Sequence, residues 1–91
     1  MSEGRINSGR DLAEARKRLG WSVTELAAAL WLAKTGSTIA GGQDFIRNME
    51  RERREVSGPI AVSVEAFLSG WRPAGFEAWL TERRARLGAE T

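Results

Sequence analysis

The side chains of this chain that can do chemistry are hydrogen-bonding amides and charges rather than nucleophiles. None of its 91 residues is cysteine or histidine, which removes thiolate chemistry, the commonest metal ligand and the usual general base. The triplets Thr35-Gly36-Ser37 and Ala40-Gly41-Gly42 lack the Gly-Lys-Ser/Thr ending that a phosphate-cradling loop needs after a strand. Two groups remain. Gln43, Asp44, Arg47 and Asn48 lie on the polar side of a short helical segment. Arg51, Arg53 and Arg54 follow it, interleaved with Glu50, Glu52 and Glu55. Glutamine, asparagine and arginine each make two-pronged hydrogen bonds to planar partners. The arginine run suits either phosphate contact or an ordinary surface of self-neutralising ion pairs. The expectation is a binding protein, not an enzyme, with no cofactor, no metal site and no small-molecule substrate.

These residues need a scaffold. The composition, 42% hydrophobic and 29% charged, is that of a folded domain, and the length suffices for one domain with a modest core. No apolar run approaches a membrane span, so no membrane partner is expected and the expected location is cytoplasmic. Net charge is only +2, so the distribution of charge says more than its total. No window alternates with period two, and the fold class expected is all-α, with five helices.

The first helix is predicted over about 9–19, capped by Ser8 and stopped by Gly20, with Leu12, Ala15 and Leu19 on one face. The second starts at Ser22, where Ser22-x-x-Glu25 is a capping box, and carries Val23, Leu26, Ala27 and Leu30 inward. Residues 33–42 read as a loop. A third helix follows over about 42–51, with Ile46 and Met49 inward; a fourth starts at Pro59 and ends at Gly70. The fifth is predicted over 73–87. The organisation expected is a flexible 1–7, a helical domain over 8–70, and 71–91 as a C-terminal helix of the same domain. Phe76, Trp79, Leu80 and Leu87 on that last helix fit either a dimer seam or an intramolecular cap on the core. Trp21, Trp31 and Trp71 read as core and helix-junction residues.

The order of these pieces resembles the lambda-repressor/Cro family of helix-turn-helix proteins, also called the xenobiotic-response-element class. The residues that carry the likeness are Arg16, Leu19, Gly20, Ser22, Glu25, Leu26, Ala27, Leu30, Ile46 and Glu50, and it covers residues 9–70. The family sets the positions of Leu30 and Ile46 about seven apart, because a tight turn fixes the angle between the two helices. Here they are sixteen apart, so the turn carries an insertion, and Trp31, Leu32 and Ile39 are expected to hold the angle instead. The resemblance implies a compact lambda-repressor-like domain that places its third helix in the major groove of double-stranded DNA. It assigns Gln43, Asp44, Arg47 and Asn48 to base edges and Arg51, Arg53 and Arg54 to the phosphate backbone. Ser22, at a helix N-terminus, joins the backbone group. It also implies a structural ion pair between Arg16 and Glu50.

The inserted loop has two readings. Lys34 and Thr38, with Thr35 and Ser37, contact the DNA backbone, or the insertion is tolerated without a role. The function expected is a homodimeric, sequence-specific transcriptional regulator, a repressor or autoregulator. The alternative is an antitoxin-like helical module that binds a protein partner and keeps the fold without reading DNA. The low net charge and Asp44 on the face that would meet the duplex favour that alternative.

Overall fold

The computed structural model describes residues 6–35 and 42–89, which form five α-helices with no strand among the described residues: α1 (Gly9–Leu19), α2 (Val23–Thr35), α3 (Gln43–Glu50), α4 (Gly58–Leu68) and α5 (Phe76–Ala89). The chain is all-helical, and its helix ends explain themselves locally. Ser8 Oγ accepts the Asp11 N–H at 3.2 Å and starts α1. Gly20 ends it in the left-handed region (φ 75°), with its N–H on the Lys17 carbonyl and the Trp21 N–H on the Arg16 carbonyl, a Schellman closure. The capping box at α2 has both arms: the Ser22 N–H donates to Glu25 Oε1 (2.9 Å) and the Glu25 N–H to Ser22 Oγ (3.1 Å).

Two boundaries differ from the sequence reading. α2 continues to Thr35, into the segment expected to be a loop, because Leu32 and Ala33 pack on the core and Lys34 is a good helix former, with no breaker before Gly36. α5 starts at Phe76 rather than 73. Pro73 is buried in the turn, its carbonyl accepts the Phe76 N–H, and Gly75 sits at φ 85°, so the helical dihedrals begin one residue later.

The core is a single cluster that includes Leu12, Leu26, Ile46, Met49, Val64, Phe67 and Phe76. Burying each such side chain fully stabilises the fold by about 1.5–3 kcal/mol. α1 packs on α3 and α4, and α2 on α3, α4 and α5. α1 and α3 approach closely: a Cβ at Gly9 would lie 1.8 Å from the Met49 carbonyl oxygen, so only glycine fits there. Trp21, buried in the α1–α2 turn, meets Phe67 at 5.4 Å and Phe76 at 4.8 Å.

That aromatic cluster corrects the dimer-seam expectation. Phe76 and Leu80 are buried in the chain's own core, and Trp79 is half-buried with its ring stacked on Phe76 at 5.9 Å. Only Leu87, 46% exposed, faces outward. The reason is that α5 is the element that covers Trp21, so its apolar side turns inward. Trp71 stacks on Phe67 at 5.6 Å and stays half exposed at the α4–α5 junction.

Candidate nucleic-acid interface

α3 is eight residues long and owes its position to neighbours more than to its own propensity. Ile46 and Met49 are fully buried beneath it. Gly42, at its start, lies against α2, where an added Cβ would come within 3.0 Å of Ala27 Cβ. Trp31 meets Phe45 edge to face at 6.0 Å, so α2 and α3 are joined by an aromatic contact where a short turn would otherwise set their angle. Of the residues expected to hold that angle, Trp31 does so and Leu32 packs on the core. Ile39 lies outside the described residues.

The outer side of α3 carries the four residues singled out in the sequence. Asp44, Arg47 and Asn48 are exposed, the Asp44 side chain to 89%, and Gln43 is half-buried at the first helical position. Arg47 Nη1 stands 3.5 Å from Asp44 Oδ1, a distant and solvent-screened pair that holds neither side chain firmly. The four thus share one accessible edge.

At the far end of α3, Arg16 grips Glu50 with two hydrogen bonds, Nε to Oε2 at 2.7 Å and Nη2 to Oε1 at 3.0 Å. Its Nη1 donates to the Trp21 carbonyl at 3.1 Å. The two side chains are only 17% and 12% exposed. The hydrogen bonds to Glu50 raise the arginine's pKa above its ordinary value against the opposing effect of burial. One guanidinium therefore ties α1, the end of α3 and the α1–α2 turn together.

The chain leaves α3 through a tight reversal. Glu52 takes φ 60°, its N–H donates to the Met49 carbonyl, and the Arg53 N–H donates to the Asn48 carbonyl. This is again a Schellman closure, with glutamate where glycine is usual. Arg51, Arg53 and Arg54 are exposed beyond it. The Arg54 guanidinium lies over the Phe45 ring at 4.6 Å, which keeps it beside α3.

Ser22 is exposed but both its backbone N–H and its hydroxyl serve the capping box. Lys34 is exposed near the end of α2, and Thr38 and Ser37 lie outside the described residues. No signal in the sequence pointed to Arg83 and Arg84. From α5, Arg84 donates to Glu25 (Nη2 to Oε1, 3.2 Å; Nε to Oε2, 3.4 Å) and to the Gly20 carbonyl (3.0 Å), while Arg83 Nε stands 3.5 Å from Glu25 Oε2. Burial alone would raise the Glu25 pKa; hydrogen bonds from Arg84 and the Ser22 N–H, with the charges of both arginines, outweigh it and hold the carboxyl below its ordinary value. Partners 59 residues apart leave no periodic trace.

No family model matches the chain, and no curated protein or solved structure is detectably similar to it. Among the described residues no helix is long and apolar enough to cross a membrane.

Proposed function

We propose that this chain is a helix-turn-helix transcriptional regulator that binds double-stranded DNA by entering the major groove with α3. The observation that carries the reading is the combination on one short helix. Its inner face is fixed by Ile46, Met49 and the Arg16–Glu50 pair, and its outer edge presents Gln43, Asp44, Arg47 and Asn48 to solvent. A groove reader needs a rigid mount and free polar tips. In this reading Gln43 and Asn48 pair with adenine, Arg47 with guanine, and Asp44 accepts from cytosine. Arg51 and Arg53 meet flanking phosphates, as do Ser22 and Lys34 at the ends of α2. The plan is that of the lambda-repressor/Cro class with a lengthened turn.

Reading a palindromic site takes two copies, with their α3 helices about 34 Å apart. Since Phe76 and Leu80 are turned inward, a homodimer would draw on exposed apolar residues such as Val62, Trp71 and Leu87. Sedimentation of the free protein reads that state directly. The regulatory role, repressor or autoregulator, is tested by a gel shift on DNA upstream of the protein's own gene. A retarded band competed by specific but not by mixed-sequence duplex is the expected result. No shift at any site, at low salt, would refute it.

A protein-binding role is the second reading, and two observations favour it. An apolar cleft of about 470 Å³ opens among Trp31, Phe45, Pro59 and Ile60. The α3 side is also close to charge-neutral. Salt separates the two readings, because log affinity for a duplex falls linearly with log salt concentration when phosphates are contacted.

A further inference from the structure

A duplex entered by α3 must have its flanking phosphates met by an excess of positive charge, and α3 and the link after it supply little of it. Glu50 is already taken by Arg16, so Arg47, Arg51, Arg53 and Arg54 face Asp44, Glu52 and Glu55, an excess of one. A larger excess lies on the two elements that meet at the α1–α2 turn, the later part of α1 with the start of α2 and the last turns of α5. They carry Lys17, Arg18, Arg83, Arg84 and Arg86 against Glu14, Glu25 and Glu82, Arg16 being paired with Glu50. Glu25, its side chain 7% exposed, takes both Arg83 and Arg84, and a single carboxylate neutralises only one of them. Arg83 Nε is buried and makes no hydrogen bond, and its guanidinium is held by the Glu25 charge and by the Trp79 ring, 5.8 Å away. Arg84 remains 51% exposed, and Lys17 and Arg18, in the last turn of the helix that Gly20 closes, are exposed as well.

This cluster is continuous with α3. Arg16 reaches from Glu50, the last residue of α3, to the Trp21 carbonyl, and Arg84 reaches from the neighbouring Gly20 carbonyl to Glu25. Two side chains thus span the distance from the end of α3 to the basic turn of α5. We infer that Lys17, Arg18 and Arg84 form a second contact strip for the phosphate backbone of duplex DNA, built by the end of α1 and by α5 and linked through Arg16 to the end of α3. The inference rests on the reading of α3 as the groove-entering helix. The strip supplies affinity without sequence preference.

The test is fluorescence anisotropy with a short mixed-sequence duplex over a range of salt, using the full chain. K17Q alters an exposed side chain outside the core, and R84Q removes a charge while keeping a hydrogen-bond donor for Gly20 and Glu25. Each is expected to make the slope of log affinity against log salt shallower by about 1. R84K keeps the charge and is expected to return the slope to the wild-type value. Wild-type slopes in both glutamine variants would overturn the strip, as would an equal loss in R84K and R84Q, which marks a structural effect. If the specific duplex of the gel shift is still bound and that binding responds to Q43A/N48A, only the strip falls. If the wild-type chain binds no duplex, the reading of α3 falls and the strip with it.

Discussion

The edge of α3 and the junction gripped by α5 are both polar and both lie on elements joined to Arg16, yet they are built in opposite ways. On α3 the polar tips hold nothing: Asp44, Arg47 and Asn48 project from a helix that apolar contacts and one ion pair have already fixed. At the α5 junction the polar groups are the mount. Glu25 caps α2, and Arg84 ties that cap to the end of α1. The contrast teaches that exposure alone does not identify a recognition surface. Side chains free to exchange partners are available for a ligand's information, whereas side chains already bonded to their own fold can lend only charge.

That difference is breakable. Replacing Gln43 and Asn48 together with alanine should weaken specific DNA binding by about 1–3 kcal/mol for each pairing lost. The melting temperature should stay nearly unchanged, since Asn48 is exposed, Gln43 is half-buried, and neither side chain bonds to the described residues; such positions usually shift stability by no more than about 0.5 kcal/mol. Titration and thermal unfolding of the same variant check both halves. A large loss of stability would show that these tips hold the fold after all.

The next effect is expected at the mount of α3. Glu50→Gln leaves the Arg16 guanidinium largely buried with one charged partner gone, a loss of about 3 kcal/mol. For a domain of this size that lowers Tm by roughly 12–24 °C, at about 4–8 °C per kcal/mol. Affinity for DNA should fall with it, because the end of α3 is released. An unchanged Tm and an unchanged affinity would remove Arg16–Glu50 from the argument.

A smaller effect separates the α5 junction by pH. Glu25 is held below its ordinary pKa in the folded state, so it binds its proton more readily when unfolded. Its contribution is therefore complete above an unfolded value of about 4.3 and is lost as pH falls through the lower folded value. Thermal unfolding between neutral pH and pH 3 should show wild type and Glu25→Gln converging as pH drops. Parallel curves would mean that the arginine pair does not stabilise the carboxylate.

The elements were legible because each was declared locally: Ser8, Gly20, the Ser22–Glu25 box and Pro59 mark helix ends by chemistry that acts over three or four residues. The inner face of α3 was legible from the spacing of Ile46 and Met49. What the sequence did not display is what depends on distance in space. The fit of Gly9 under the Met49 carbonyl joins residues forty apart, and the grip of Arg84 on Glu25 joins residues fifty-nine apart. The inward turn of Phe76 and Leu80 was equally hidden, since an amphipathic stripe has the same pattern whether it covers its own core or a second copy. α2 overran its predicted end because the alanine-rich run that suits a helix outlasts the family pattern at Leu30.

The closure after α3 allows the finest comparison, because one residue there touches both conformation and charge. Glu52 sits at φ 60° where an L side chain is disfavoured. Glycine adopts that conformation freely, although it also loosens the unfolded chain. Relief of the left-handed conformation, about 1–2 kcal/mol, less the unfolded-chain entropy that glycine restores, about 0.4–1 kcal/mol, leaves Glu52→Gly a net gain of about 0.5–1 kcal/mol. Glu52→Gln removes the charge and keeps the strain, so its Tm should match wild type. Both variants delete a carboxylate from a side of the molecule that is close to charge-neutral, and under the DNA-binding reading both should bind a duplex more tightly, by a similar factor. Equal Tm for the two variants would mean that the backbone at residue 52 is not strained. Affinity unaltered by either would mean that no phosphate passes close to the end of α3, leaving the α5 junction as the region that meets the backbone.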